Sequence, residues 1–186
     1  MGTGFVEVTL KPKSETLFFS FMENLAKNIH LVAGRHDFIV EVTPKSRVEL
    51  LTLLERIERQ EFVRRARFIA VKGVIVDHLV RTETISGEER KHLYRKQLGA
   101  FIGIYLKEPI THWPVAITGN LSVKRLFTVE GPYNAFAMIM GDNMEEIWGL
   151  ILRFRELMEI KNTETFFILR SLRRDIFGDD VLNARG

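Results

Sequence analysis

The stretch EGPYNAFAMIM, residues 130–140, carries the pattern that decides the fold. A glycine turn leads to Tyr133 and Asn134, and six consecutive apolar residues follow. A strand with one solvated face alternates apolar and polar residues. This strand instead places apolar side chains on both faces: Ala135, Ala137 and Ile139 on one, Phe136, Met138 and Met140 on the other. We therefore expect both of its faces to be covered.

The same pattern occurs 97 residues earlier in the chain, in AGRHDFIVEV, residues 33–42. At this shift Ser46 falls on Asn143 and Glu49 on Glu146, and each pair has the form of a capping box before an amphipathic helix. The corresponding turn residues are Gly34 and Gly131, His36 and Tyr133, Asp37 and Asn134. Because turn, cap and helical face coincide without a gap, the sequence indicates two copies of one plan.

Each copy is predicted to run strand, helix, strand, helix, strand. The first strands are GFVEVTLK (4–11) and GAFIGIYLK (99–107), and the last are residues 63–71 and 160–169. A helix is predicted over 14–27, whereas Pro114 restricts its counterpart in the second copy to a short helix. This order is typical of a ferredoxin-like split βαβ unit.

We therefore predict an α+β fold of two tandem ferredoxin-like (βαββαβ) units. Their sheets would face each other as an intramolecular pseudo-dimer resembling a dimeric α+β barrel. The expected boundaries are 1–75 for the first unit, 76–98 for a connector with a short helix, 99–175 for the second unit and 176–186 for a tail.

The composition excludes several classes of protein. The 186 residues contain no cysteine, which excludes a disulfide scaffold and a thiolate metal site. The formal net charge of +3 does not require a nucleic-acid partner. No apolar run approaches the ~20 residues that cross a bilayer, and the N-terminus lacks the pattern of a secretory signal. The expected localisation is cytoplasmic.

The second copy, residues 99–172, resembles the effector-binding (RAM) domain of the Lrp/AsnC transcription regulators. The resemblance is carried by a Gly-x-Tyr-Asp-like turn at Gly131, an acidic start to the following helix, and a T-x-T strand at Thr163 and Thr165. The first copy matches more faintly, with Ala66 and Phe68 in place of the threonines. The family's helix-turn-helix domain has no counterpart ahead of the first copy.

The resemblance implies binding of an amino acid or a similar small metabolite beside the two turns. The predicted ligand-binding residues are Gly34, His36, Asp37, Gly131, Tyr133, Asn134, Thr163 and Thr165. The alternatives are that the glycines only form hairpin turns, that Asp37 and Asn134 bond their own turn backbones, and that the threonines are simply β-formers.

Three functions are compatible with the sequence. The first is an effector-binding regulatory module without its own DNA reader. The second is a dimeric α+β barrel enzyme or haem-binding protein, and the third is an oligomerisation or adaptor protein. No catalytic residues, metal site or cofactor are predicted, since the five histidines lack ligand spacing. The expected partners are a small-molecule effector, further copies of the chain and a separate DNA-binding regulator, without sequence-specific DNA binding by this chain.

Overall fold

The computed structural model describes residues 2–79 and 98–173. These ranges contain eight strands: β1 (Gly4–Leu10), β2 (Asn28–Ala33), β3 (Phe38–Val42), β4 (Val63–Asp77), β5 (Leu98–Leu106), β6 (Val123–Glu130), β7 (Ala135–Gly141) and β8 (Ile160–Arg173). They also contain four helices: α1 (Glu15–Met22), α2 (Arg47–Glu58), α3 (Val115–Thr118) and α4 (Met144–Glu156). Most of the predicted connector, with its helix and His92, and all of the predicted tail lie outside the described residues.

The prediction of two ferredoxin-like sheets packed face to face is wrong. The eight strands form one closed antiparallel barrel in the order β1-β3-β2-β8-β5-β7-β6-β4. The physical reason lies in β4 and β8, which extend over 15 and 14 residues, about twice the length of β1. A strand that runs beyond its partner offers unpaired backbone groups, and closure of the sheet satisfies them.

By its internal contacts the chain divides into two compact units. Unit 1 comprises Met1–Val71 with Ile168–Gly186, and unit 2 comprises Lys72–Phe167. In unit 1, β1 lies between β3 and β4, and β2 pairs with β3. In unit 2, β5 lies between β7 and β8, and β6 pairs with β7. The two sets of pairings correspond strand for strand, which is the plan that the 97-residue shift indicated.

In each unit the helices cover one face of the sheet. The core of unit 1 joins Val6, Val8 and Leu10 of β1 to Phe18 and Met22 of α1 and Ile57 of α2. The core of unit 2 joins Ala135, Ala137 and Ile139 of β7 to Ile147, Leu150, Ile151 and Phe154 of α4. The other face of β7 carries Phe136 and Met138, which are also buried. Two-sided burial of this strand is therefore confirmed.

Both capping boxes are present, with one difference from the expected geometry. The side chains of Ser46 and Asn143 accept hydrogen bonds from the backbone N–H groups of Glu49 and Glu146, as predicted. Each glutamate, however, accepts from the residue before the cap, Lys45 N–H in one unit and Asp142 N–H in the other, rather than from the cap itself.

The two front helices differ between the units. Helix α1 ends at Met22, earlier than the predicted end at residue 27, and Leu17 on it is exposed. Helix α3 has four residues after Pro114, so the prediction of a short helix there is confirmed. No helix in the described ranges is long and apolar enough to cross a membrane.

Candidate functional site

The two glycine turns have backbone conformations that require glycine. The φ angle is 155° at Gly34 and 135° at Gly131, a region that other residues rarely adopt. Gly34 lies between β2 and β3, and Gly131 lies between β6 and β7. Their conformation therefore accounts for the glycines as hairpin residues, and a role in ligand binding stays a prediction.

Asp37 and Asn134 fasten these turns to the neighbouring strand. Asp37 Oδ2 accepts from Leu10 N–H at 2.7 Å, and Asn134 Oδ1 accepts from Leu106 N–H at 2.8 Å. This hydrogen bond requires only an oxygen acceptor, and both a carboxylate and an amide provide one. An amide can therefore replace the acid in the second copy.

His36 lies at the centre of a polar cluster in unit 1, which we call the His36 cluster. Its other members are Glu7 and Thr9 of β1 and Arg67 of β4. Arg67 donates to Glu7 Oε2 through Nε at 2.9 Å and through Nη2 at 2.6 Å. Arg67 Nη2 also lies 2.8 Å from His36 Nε2, and Thr9 Oγ1 lies 2.8 Å from His36 Nδ1.

The contacts of the His36 cluster fix the tautomer of its imidazole. A guanidinium only donates, so His36 Nε2 must accept from Arg67 and Nδ1 must carry the proton that is donated to Thr9. Glu7 is completely buried and its Oε2 lies 3.6 Å from His36 Nε2. The cluster thus pairs a buried carboxylate with a guanidinium and a neutral imidazole.

Unit 2 has a cluster at the corresponding positions, the Tyr133 cluster, formed by Tyr133, Tyr105 and Glu164. Glu164 Oε2 accepts from the hydroxyls of Tyr133 at 2.8 Å and Tyr105 at 3.2 Å. Gly103 stands where unit 1 has Glu7, because each pairs with the centre of the long strand, Glu164 or Arg67. The carboxylate of the cluster therefore lies on β1 in unit 1, as Glu7, and on β8 in unit 2, as Glu164.

Thr163 and Thr165 do not belong to the Tyr133 cluster. They pair with Ile104 and Ile102, whose side chains lie in the helix-covered core, so they share that face of the sheet. Glu164, between them, faces Tyr133. Neither Glu164 nor its counterpart Arg67 was among the residues predicted from the sequence. The signal was available as a single charged residue at equivalent positions of both copies, between Ala66 and Phe68 in one and between two threonines in the other.

A second buried carboxylate lies in unit 1, at Glu41 of β3. Asn28 Nδ2 donates to Glu41 Oε2 at 2.5 Å, and Lys27 Nζ lies 3.6 Å from Glu41 Oε1. Phe5 pairs with Glu41, and Glu7, two residues further along β1, faces the same side of the sheet. The face of unit 1 that is turned away from its helices is therefore rich in buried polar groups.

The corresponding face of unit 2 is aromatic. Phe136 stacks on Phe101 with ring centroids 5.5 Å apart and on Tyr133 at 5.8 Å. Tyr105 meets the Tyr133 ring edge-on at 5.1 Å. Phe101, Phe136 and Tyr133 are all nearly completely buried, so these ring contacts belong to the interior of the unit.

The histidines differ in their capacity to bind a metal ion. His78 Nδ1 lies 2.8 Å from the carbonyl oxygen of Val123, which only accepts, so Nδ1 carries the proton and Nε2 of the neutral ring carries the lone pair. Both nitrogens of His36 are engaged, His30 Nδ1 lies 2.7 Å from Ser171 Oγ, and His112 is exposed. In the described ranges no group of three His, Asp or Glu side chains could hold a metal ion by itself.

Charged and aromatic groups adjoin His78 at the end of β4. The His78 backbone N–H donates to the Lys124 carbonyl at 2.8 Å. Arg125 is buried, with its Nε 3.6 Å from Asp77 Oδ1 and its guanidinium 5.8 Å from the Phe127 ring centroid. These contacts place the imidazole of His78 next to the Lys124 backbone, and next in sequence to Asp77, which pairs with Arg125.

An open cleft of about 490 Å³ lies along one side of α4. Its lining is polar apart from Gly149 and Leu150, and consists of Asn120, Asn143, Glu145, Glu146, Gly149, Leu150 and Arg153. The Ser122 hydroxyl donates to Glu146, and this bond, followed by the Asp142 N–H, holds the pKa of Glu146 below its ordinary value.

Comparison with known proteins yields matches to solved structures alone. No protein-family model and no curated protein matches the sequence. Siroheme decarboxylase NirDL, in co-complex with an iron-uroporphyrin III analogue, is similar with a TM-score of 0.64 and 15% identity, over 94% of this chain and 74% of that one. A mutant chlorite dismutase from Candidatus Nitrospira defluvii, in complex with cyanide, has a TM-score of 0.55 and 10% identity, over 95% of this chain and 92% of that one.

At these identities the likeness establishes the fold alone. It is the dimeric α+β barrel fold, and an enzyme or haem-binding protein of this type was the sequence-based alternative to an effector-binding module. The resemblance to the Lrp/AsnC domain stays a prediction.

Proposed function

We propose that this chain is an iron-tetrapyrrole-binding protein of the dimeric α+β barrel type. The observation that carries the proposal is the fold likeness to siroheme decarboxylase, which extends over 94% of the chain and includes a complex with an iron-uroporphyrin III analogue. Tetrapyrrole binding thereby gains support over the effector-binding role that the turn residues suggested.

The donor chemistry of His78 fits a ligand of iron. A metal-bound imidazole commonly donates its second N–H to a carbonyl or carboxylate, which fixes the tautomer and raises the basicity of the ligating nitrogen. His78 has this arrangement, since its Nδ1–H donates to the Val123 carbonyl. His36 fits poorly, because ligation through either nitrogen would break a bond to Arg67 or Thr9.

One basic side chain pairs with the neighbour of His78 in the sequence. The periphery of iron uroporphyrin carries carboxylates, and Arg125 pairs with Asp77, the residue before His78. Arg125 is already oriented by Asp77 and by the face of Phe127. When bound, an iron tetrapyrrole would supply a metal with accessible redox states. His78 would hold the iron, and Arg125 would attract a peripheral carboxylate.

Absorption titration of the full chain tests the proposal. Iron uroporphyrin III and haem b are added separately to the wild type, to His78→Ala and to the matched control His112→Ala, which changes an exposed histidine of the same unit. We expect a shifted Soret band and saturable binding in the wild type and in the control. In His78→Ala we expect an altered band and affinity at least about tenfold weaker.

The contrary outcomes are separable. If neither tetrapyrrole changes its spectrum or raises the melting temperature, the proposal is wrong. If both bind but His78→Ala behaves as the wild type does, the assignment of His78 is wrong. An amino-acid panel in the same thermal-shift assay tests the effector-binding hypothesis, because a ligand of the native state stabilises it by RT ln(1 + [L]/Kd).

A further inference from the structure

Helix α4 carries an exposed apolar stripe. Met144, Trp148 and Leu152 follow one another at intervals of four residues, and they are 41%, 47% and 52% exposed. The inner side of the same helix packs into the unit 2 core, so it is not available to a partner. Large apolar side chains in a continuous exposed row are typical of an interaction surface.

Two charges of opposite sign flank the middle of this helix symmetrically. Glu145 lies four residues before Gly149 and Arg153 lies four residues after it. Within the described chain neither charge has a hydrogen bond or an ion pair. At 1.5 Å of rise per residue they are separated by about 12 Å along the axis, so they are poorly placed to pair with each other.

Gly149 leaves the centre of this surface open. A Cβ added there would meet no atom within 4 Å. A glycine in the interior of a helix lowers the stability of the helix by roughly 0.5–1 kcal/mol relative to alanine. Because it has no side chain, it also allows another backbone to approach closely.

We propose that this surface binds a second copy of the same chain, with the two α4 helices antiparallel and the two-fold axis passing beside Gly149. A two-fold rotation about that point exchanges positions 145 and 153. Each Glu145 then meets the Arg153 of the other copy, so the dimer contains two equivalent ion pairs and no unpaired charge of this set. Only a self-complementary surface has this property, which is why a second copy suits it better than an unrelated protein.

The same rotation brings Trp148 to the cleft. Around the helix, Trp148 lies about 100° to one side of Gly149, whereas Leu150 and Arg153 lie on the other side. The cleft is on the side of Leu150 and Arg153. The two-fold axis exchanges the sides, so the Trp148 of each copy arrives over the cleft of the other. Trp148 is partly oriented for this, because its ring packs against Phe167 with centroids 5.7 Å apart.

Charge reversal provides the first test, by sedimentation equilibrium of the full chain over a concentration series up to about 1 mM. The wild type is expected to form dimers. Glu145→Arg and Arg153→Glu each place like charges in contact twice, and each is expected to weaken the dimer at least about tenfold. The double variant restores opposite charges and is expected to return to within about threefold of the wild type. The matched control is Glu58→Arg, on the exposed side of α2.

Cross-linking provides the second test, and it depends on the absence of cysteine from the natural sequence. In Gly149→Cys the two thiols lie beside the two-fold axis and are expected to form an intermolecular disulfide under mild oxidation. Glu58→Cys, on α2, is the control and is expected to remain largely monomeric.

Three results would overturn the proposal. The first is a wild type that stays monomeric throughout the concentration series. The second is a dimer that the single reversals leave unchanged or that the double reversal does not restore. The third is equal cross-linking through positions 149 and 58.

Discussion

Substitution of Gly103 by alanine tests the packing of the Tyr133 cluster. A Cβ at Gly103 would lie 2.4 Å from Cε1 and 2.5 Å from Cζ of the Tyr133 ring. Carbon atoms in contact are normally 3.5–4.0 Å apart, so the ring must move by about 1 Å. Tyr133 is nearly completely buried and its ring stacks on Phe136, which leaves little room for that movement.

The cost has two parts. Overpacking of a well-packed core typically costs 1–3 kcal/mol. Movement of the ring also stretches the 2.8 Å bond from the Tyr133 hydroxyl to Glu164, and a hydrogen bond to a charged group contributes roughly 1.5–3 kcal/mol. Tyr105 still donates to the same carboxylate oxygen, so the second part falls at the lower end of its range. We expect a total loss of about 2–4 kcal/mol in the free energy of unfolding.

Urea denaturation measures this loss from the shift of the midpoint at constant m-value. Gly149→Ala is the matched control, measured at low protein concentration, since its methyl group would meet no atom within 4 Å. Alanine is also the better helix former, so this control is expected to gain roughly 0.5–1 kcal/mol. The same chemical change is therefore expected to have opposite signs at the two positions.

The Tyr133→Phe background separates the two parts of the cost. Without the hydroxyl, Gly103→Ala should cost only the overpacking share, so the double variant should be more stable than the sum of the single changes predicts. A loss below about 1 kcal/mol for Gly103→Ala in the natural background would refute the reasoning. Strict additivity with Tyr133→Phe would show that the ring moves without disturbing Glu164.

Three further changes test the core, the His36 cluster and the α4 cap. Phe136→Ala should cost about 3–5 kcal/mol in a urea melt because the ring is 1% exposed, and a loss below about 1 kcal/mol would remove it from the core. Arg67→Ala leaves the carboxylate of Glu7 buried without its closest cation and should cost roughly 3–5 kcal/mol, whereas Arg56→Ala on exposed α2 should stay within about 0.5 kcal/mol. For Glu146 the folded-state pKa lies below the ordinary 4.5, so its ionised form stabilises the fold above that pH and the contribution is lost as the pH falls through the folded value. Glu146→Gln should therefore destabilise the chain more at pH 7 than at about pH 3, and an equal deficit at both would show that ionisation is irrelevant.

The local plan of this protein was readable from its sequence. Turn glycines, capping residues and helical faces depend on side chains within about four residues of one another, and these recur at the 97-residue shift. The two caps at Ser46 and Asn143 therefore appear where the sequence placed them. The two-sided burial of β7 followed in the same way, because a strand alternates its faces with a fixed period.

Closure of the sheet was decided by tertiary structure. The runs recognised in the sequence stop at residues 71 and 169, whereas β4 and β8 continue to Asp77 and Arg173. The composition of a strand shows that it is extended but not which strand will pair with its end. Hydrogen bonds in a ladder join backbone groups, which are the same at every residue except proline.

The candidate site was also decided by tertiary structure, for a related reason. Glu7 and Arg67 are 60 residues apart in the chain, and Tyr133 and Glu164 are 31 apart. Glu164 was not among the residues predicted from the sequence, whereas Thr163 and Thr165 on either side of it were. Strand register places Glu164 with Tyr133 and the two threonines on the opposite face of the sheet, because a shift of one residue along a strand moves a side chain to the other face.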